Sequence, residues 1–117
     1  MGIMAKLPDE IITTVFTLQR QLLERIDEAT ATVFVMLAEY GETEATVHEL
    51  DELQSIRERA DTYYSRFYVT LRRIYESQPV ASRDSLDIIA RSINEAQAVA
   101  DATLASVQEI KRNWNLP

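Results

Sequence analysis

Residues 9–41 read DEIITTVFTLQRQLLERIDEATATVFVMLAEYG, and the spacing of their apolar side chains settles the class of fold. Ile11, Val15, Leu18, Leu22, Ile26, Ala29, Val33, Met36 and Tyr40 recur at gaps of three and four. Side chains at those gaps fall on one face of an α-helix, whereas a half-buried strand would alternate by two. Pro8 in the first turn, followed by Asp9 and Glu10, suits the positive end of the helix dipole. Gly41 supplies the left-handed conformation that commonly stops a helix.

Two more periodic segments follow. The second has Thr43 as its expected N-cap and a stripe of Leu53, Ile56, Ala60, Tyr63, Phe67, Leu71 and Ile74, ending near Gln78 because Pro79 cannot continue it. The third has Ser82 as expected N-cap, with Ala81 and Leu86 as a hydrophobic staple. Its stripe is Leu86, Ile89, Ile93, Ala96, Ala100, Leu104, Val107, Lys111 and Trp114, with the Lys111 stem lying along the core. Helices are thus expected at about 9–40, 43–78 and 82–114. Such short joints make consecutive helices antiparallel neighbours. The expected fold is all-α: a single domain over 1–117, an elongated antiparallel up-down-up three-helix bundle with coiled-coil-like packing. A helical hairpin completed by a second chain is the alternative.

Composition narrows the function classes. With no Cys, thiol catalysis, disulfides and zinc–thiolate sites are excluded. Two Gly cannot build a phosphate-binding loop. The longest uncharged run, Ala29 to Ala38, is ten residues, too short for a membrane span. The N-terminal stretch lacks the pattern of a signal peptide, so a cytoplasmic location is expected. The acidic balance, net charge −7, disfavours polyanions as the main partner.

Charges spaced by seven suggest a register. Arg59, Arg66 and Arg73 line one flank of the second segment, and Asp87, Asn94 and Asp101 one flank of the third. Antiparallel packing would set Arg59 against Asp101, Arg66 against Asn94 with Glu95 beside it, and Arg73 against Asp87.

No residue group points to catalysis, to a metal or to a cofactor. His48 stands alone among Glu44, Glu49, Asp51 and Glu52, without the Glu-x-x-His or His-x-x-x-His spacing of a helical metal site. Acidic pairs such as Glu24 and Glu28 read as solvated helix faces, and no small-molecule substrate is implied. Two surfaces carry more. The run Val33-Phe34-Val35-Met36-Leu37-Ala38 is apolar all round, more than a three-helix bundle buries on one helix. Its parallel neighbour ends in Val107, Ile110, Trp114 and Leu116. A protein interface is therefore expected at Phe34, Val35, Leu37, Tyr40, Ile110, Trp114 and Leu116. The second surface interleaves aromatic and basic residues: Arg57, Tyr64, Arg66, Tyr68, Arg72, Arg73 and Tyr75. Tyr and Arg are common both at protein interfaces and where bases are stacked and phosphates bound; a core edge with wet hydroxyls is the plainer reading. The leading expectation is a non-enzymatic interaction protein, acting as a homo-oligomer or small subunit of a larger assembly. A helical nucleic-acid-binding subunit of a nucleoprotein complex is the alternative.

Overall fold

The computed structural model describes residues 9–77 and 83–117. They form three helices, α1 (Asp9–Tyr40), α2 (Glu44–Glu76) and α3 (Arg83–Asn113), in an elongated all-α bundle with a cross-section of 18 × 16 Å. No helix among the described residues is long and apolar enough to cross a membrane. The expectations for Pro8, Pro79, Ser82 and the Ala81–Leu86 staple fall on, or depend on, residues outside the described ones.

The first joint is fixed by local hydrogen bonding. Gly41 has φ 73°, and its N–H donates to the Leu37 carbonyl at 3.0 Å, closing α1 with a left-handed cap. Thr43 is the N-cap of α2: its hydroxyl accepts from the Thr46 N–H at 3.2 Å, while the Thr43 N–H donates to Thr46 Oγ1 at 2.9 Å. This is a capping box with Thr where Glu or Gln is usual. The buried Thr46 hydroxyl also donates to the Gly41 carbonyl at 2.8 Å, so one side chain ties both helix ends together. α3 ends with Asn115 at φ 53°; the Leu116 N–H donates to Lys111 O at 2.8 Å and the Asn115 N–H to Arg112 O at 3.3 Å. That Schellman closure folds Leu116 back onto the core.

The buried positions follow a seven-residue repeat. In α1 they are Val15, Leu18, Leu22, Arg25, Ala29, Thr32 and Met36. Arg25 and Thr32 thus occupy places that the apolar stripe assigns to Ile26 and Val33, which are half-buried beside them. In α3, Thr103 and Ile110 are buried, while Leu104 and Lys111 are half-buried. Threonine is acceptable inside because its hydroxyl bonds within its own helix: Thr32 to Glu28 O at 2.7 Å, Thr103 to Val99 O at 2.6 Å. Each therefore presents mainly its methyl group to the neighbouring helices.

The core divides into two clusters. One gathers around Leu18, Leu22, Phe67, Ile74 and Ile89, the other around Met36, Leu53, Ile56, Val107 and Ile110. Arg25 lies between Leu22 of the first and Ala29 of the second, with 8% of its surface exposed. Its Nε–H donates to the Ala100 carbonyl of α3 at 3.1 Å, and Nη1 pairs with Glu28 Oε1 at 2.6 Å. Two small, fully buried residues adjoin this junction: Ala100 of α3, whose carbonyl takes the Nε–H, and Ala29, one turn further along α1.

Of the three register pairs, the middle one forms. Arg66 Nη1 lies 3.5 Å from Glu95 Oε2, and the Tyr63 hydroxyl donates to the same carboxylate oxygen at 3.0 Å. Glu95, rather than Asn94, takes the arginine. Among the described residues no ion pair joins Arg59 to Asp101 or Arg73 to Asp87; Asp101 instead accepts from Gln97 at 3.1 Å. These flanks are solvent-exposed, where an ion pair contributes little and does not hold long side chains together.

Candidate interaction surface

The apolar end of the bundle is partly closed by its own chain. Ile110 is buried, and Trp114 and Leu116 are half-buried against the second cluster. Val35 is half-buried in a small depression with Ala31, Thr32, Lys111 and Leu116. The Tyr40 and Trp114 rings meet edge to face, with centres 5.0 Å apart and planes at 70°, and the Tyr40 hydroxyl donates to the Trp114 carbonyl at 2.8 Å. Phe34 is left 74% exposed, with Leu37 and Tyr40 also outward. The seven residues expected to form one patch therefore separate into a closed group, held by the α3 cap, and an open group of Phe34, Leu37 and Tyr40, of which Tyr40 is exposed yet tied to Trp114.

The Tyr/Arg surface separates as well. Arg66 and Arg73, seven residues apart, follow the α2 flank whose Arg66 reaches Glu95 of α3. The Arg66 guanidinium also lies 4.7 Å from the centre of the Tyr63 ring. Arg57, Tyr64, Tyr68 and Tyr75 follow the opposite flank, beside α1. There Arg72 sits 5.9 Å over the Tyr68 ring and 3.9 Å from Glu76. Arg57 and Tyr64 are half-buried; Arg66, Tyr68, Arg72, Arg73 and Tyr75 are exposed.

A third arrangement was not expected. Phe16, Leu23 and Leu37 of α1 are all exposed large apolar residues, and each directly follows a buried core position, Val15, Leu22 and Met36. Val47, Tyr68 and Tyr75 of α2 do the same after Thr46, Phe67 and Ile74. Both helices thus carry a second apolar row beside the core row. The rows meet: Phe16 and Gln19 line one shallow groove with Tyr68, Leu71, Arg72 and Tyr75, and Ile26 lines another with Gln54, Arg57, Glu58 and Asp61. The half-buried Ile12, Ile26, Val33, Leu50 and Tyr64 fill the space between core and surface. Apart from Tyr40, the large apolar side chains exposed away from this face among the described residues are Phe34, Val69 and Ile88. The sequence signal was the recurrence of Phe16, Leu23 and Leu37 at multiples of seven, each one step beyond a core position.

What this face offers is contact area and shape, with aromatic rims and few charges. The surface suits packing against another apolar surface. Among the described residues no three His, Cys, Asp or Glu side chains converge as a metal site would require. Compared with known proteins, the chain matches no family model, no curated protein and no solved structure.

Proposed function

We propose that this chain is a non-enzymatic helical interaction protein, a homo-oligomer or small subunit of a larger assembly, whose principal contact surface is the shared face of α1 and α2. The observation that carries the reading is the row of exposed Phe16, Leu23 and Leu37 beside exposed Tyr68 and Tyr75. Apolar area of that extent, kept in water by a monomer, is a standing liability, and its usual use is a protein contact. The open group at the bundle end, Phe34 above all, extends the contact area beyond that face. A cytoplasmic setting belongs to the same reading.

The nucleic-acid alternative draws on the stacked pair of Tyr68 and Arg72. Its cations are divided between two flanks of α2, and Arg66 and Arg72 already have acidic neighbours. Supporting it would take binding whose affinity falls steeply with salt, as phosphate contacts require.

Light scattering on the purified chain, alone and with whatever co-purifies, tests the leading reading. Phe16→Glu is expected to lower the assembly mass toward the 13.4 kDa of one chain. An unchanged mass and an unchanged set of partners for both Phe16→Glu and Phe34→Glu would remove its support.

A further inference from the structure

We infer that the occupant of the α1–α2 face is a second copy of this chain, packed antiparallel across a two-fold axis that passes between Arg57 and Asp61. This rests on the reading of that face as an interaction surface and names what covers it.

Charge is the first argument. The exterior row of α1 from Ile12 to Leu37 contains no charged residue, and the matching row of α2 from Val47 to Tyr75 contains two, Arg57 and Asp61, with Glu58 and Arg72 at the margins of its grooves. Arg57 and Asp61 are of opposite sign, as are Arg72 and Glu58, so the face is neutral in a chain whose net charge is −7. Arg57 and Asp61 lie four residues apart near the middle of α2, yet no ion pair joins them; Arg57 donates instead to Gln54 Oε1 at 3.3 Å. Both charges are therefore available to a partner.

Symmetry is the second. Laid antiparallel on itself about a point midway between Arg57 and Asp61, α2 sets each Arg57 against the second copy's Asp61, twice over, and Leu50 against the second copy's Tyr68. The groove holding Arg57 and Asp61 also contains Ile26 of α1, which puts the axis beside Ile26; with the axis between Ile26 and Asp27, Phe16 lies against the second copy's Leu37. One register thus satisfies both rows, as an isologous contact requires. With the axis along the bundle instead, the charge-free row of α1 would cover Arg57 and Asp61 and bury both with no opposite charge from the second copy, which is unfavourable.

Area is the third. From Ile12 to Leu37 the face runs about 38 Å at the helical rise. Two helices abreast make it about 20 Å wide, hence about 800 Å² per copy, the size of a standard stable interface.

The test uses two variants purified separately, Arg57→Asp and Asp61→Arg, with circular dichroism to confirm that each keeps its helix content. The unmodified chain is expected to sediment at twice 13.4 kDa. Each variant alone opposes like charges at both contacts, and its dimer should weaken by on the order of tenfold or more. An equimolar mixture should recover the dimer, because one chain then carries two acids and the other two arginines. A mixture that stays monomeric while the unmodified chain dimerises overturns the antiparallel register. An unmodified chain still monomeric at about 100 μM overturns self-pairing. In that event the wider reading survives only where Phe16→Glu releases a different protein that co-purifies with the chain, and falls with it where that substitution changes nothing.

Discussion

Arg25 and its partner Glu28 should respond to substitution in opposite ways. The Arg25 side chain is 10% exposed and that of Glu28 is 29% exposed, so the pair is desolvated on one side and open to water on the other. Replacing Glu28 with Ala removes the 2.6 Å contact and leaves the guanidinium inside with only the Ala100 carbonyl as partner. A fully buried pair broken in this way costs about 3–5 kcal/mol. The exposure of Glu28 lets water approach the orphaned charge, which reduces the expected loss to about 1–2 kcal/mol. For a chain of this length that lowers Tm by about 5–10 °C. Arg25→Met removes the buried charge altogether. Met fills much of the same space with a flexible apolar chain. The Ala100 carbonyl also accepts from Thr103 Oγ1 at 3.3 Å, so losing Arg25 does not strip it of partners. Arg25→Met is therefore expected to leave stability unchanged or to raise it by about 1–3 kcal/mol, as when apolar residues replace other buried ion pairs. Urea unfolding at one fixed protein concentration measures both, since self-association would otherwise add a mass-action contribution. Loss of more than about 2 kcal/mol in Arg25→Met would refute the reasoning, because the guanidinium would then be supplying net stability.

Two further substitutions probe the frame. Phe67→Ala empties the largest fully buried side chain of the first core cluster and should cost about 3–5 kcal/mol in urea unfolding. Gly41→Ala meets no atom within 4 Å of the added Cβ, so its expected cost of about 1–2 kcal/mol in thermal unfolding comes from the backbone at φ 73° alone.

The helices and the first joint were legible because their signals are local. Apolar spacing marked α1 through Tyr40, and Gly41 and Thr43 mark the turn with conformations that their side chains favour. The interior was less legible. Choosing the apolar letter at each step places Ile26 and Val33 in the core, whereas the seven-residue repeat puts Arg25 and Thr32 there. Nothing in residue type announces that: Thr32 qualifies through a bond to its own helix, and Arg25 through a carbonyl on α3, seventy-five residues away. Flanking charges gave the correct register at Arg66 and Glu95 and overstated the pairs on either side, because exposed charges follow the packing more than they direct it. The dense local run Val33 to Ala38, where the sequence points to a surface, lies partly beneath Trp114 and Leu116. The α1–α2 face is dilute along the chain and dense only once two helices lie side by side.

The distribution of apolar rows also bears on how an assembly would end. α1 and α2 each carry two rows, one for the core and one outside it, as a helix does when neighbours approach from more than one side. On α3, Ile88 is the one large apolar residue exposed among those described; elsewhere its outer positions hold residues such as Arg91, Gln97, Asp101, Ala102 and Glu109. One side of the bundle thus exposes large apolar side chains and the other mainly small or polar ones. A face that pairs with its own copy across a two-fold axis is used up by a single partner. Both α3 helices would then lie on the outside of a closed pair, covering it with polar surface. Of the open group at the bundle end, Leu37 belongs to the closed face and Phe34 does not. Phe34, on the same helix but rotated off the α1–α2 row, would stay exposed at both ends of such a pair, and any larger assembly would have to grow from there.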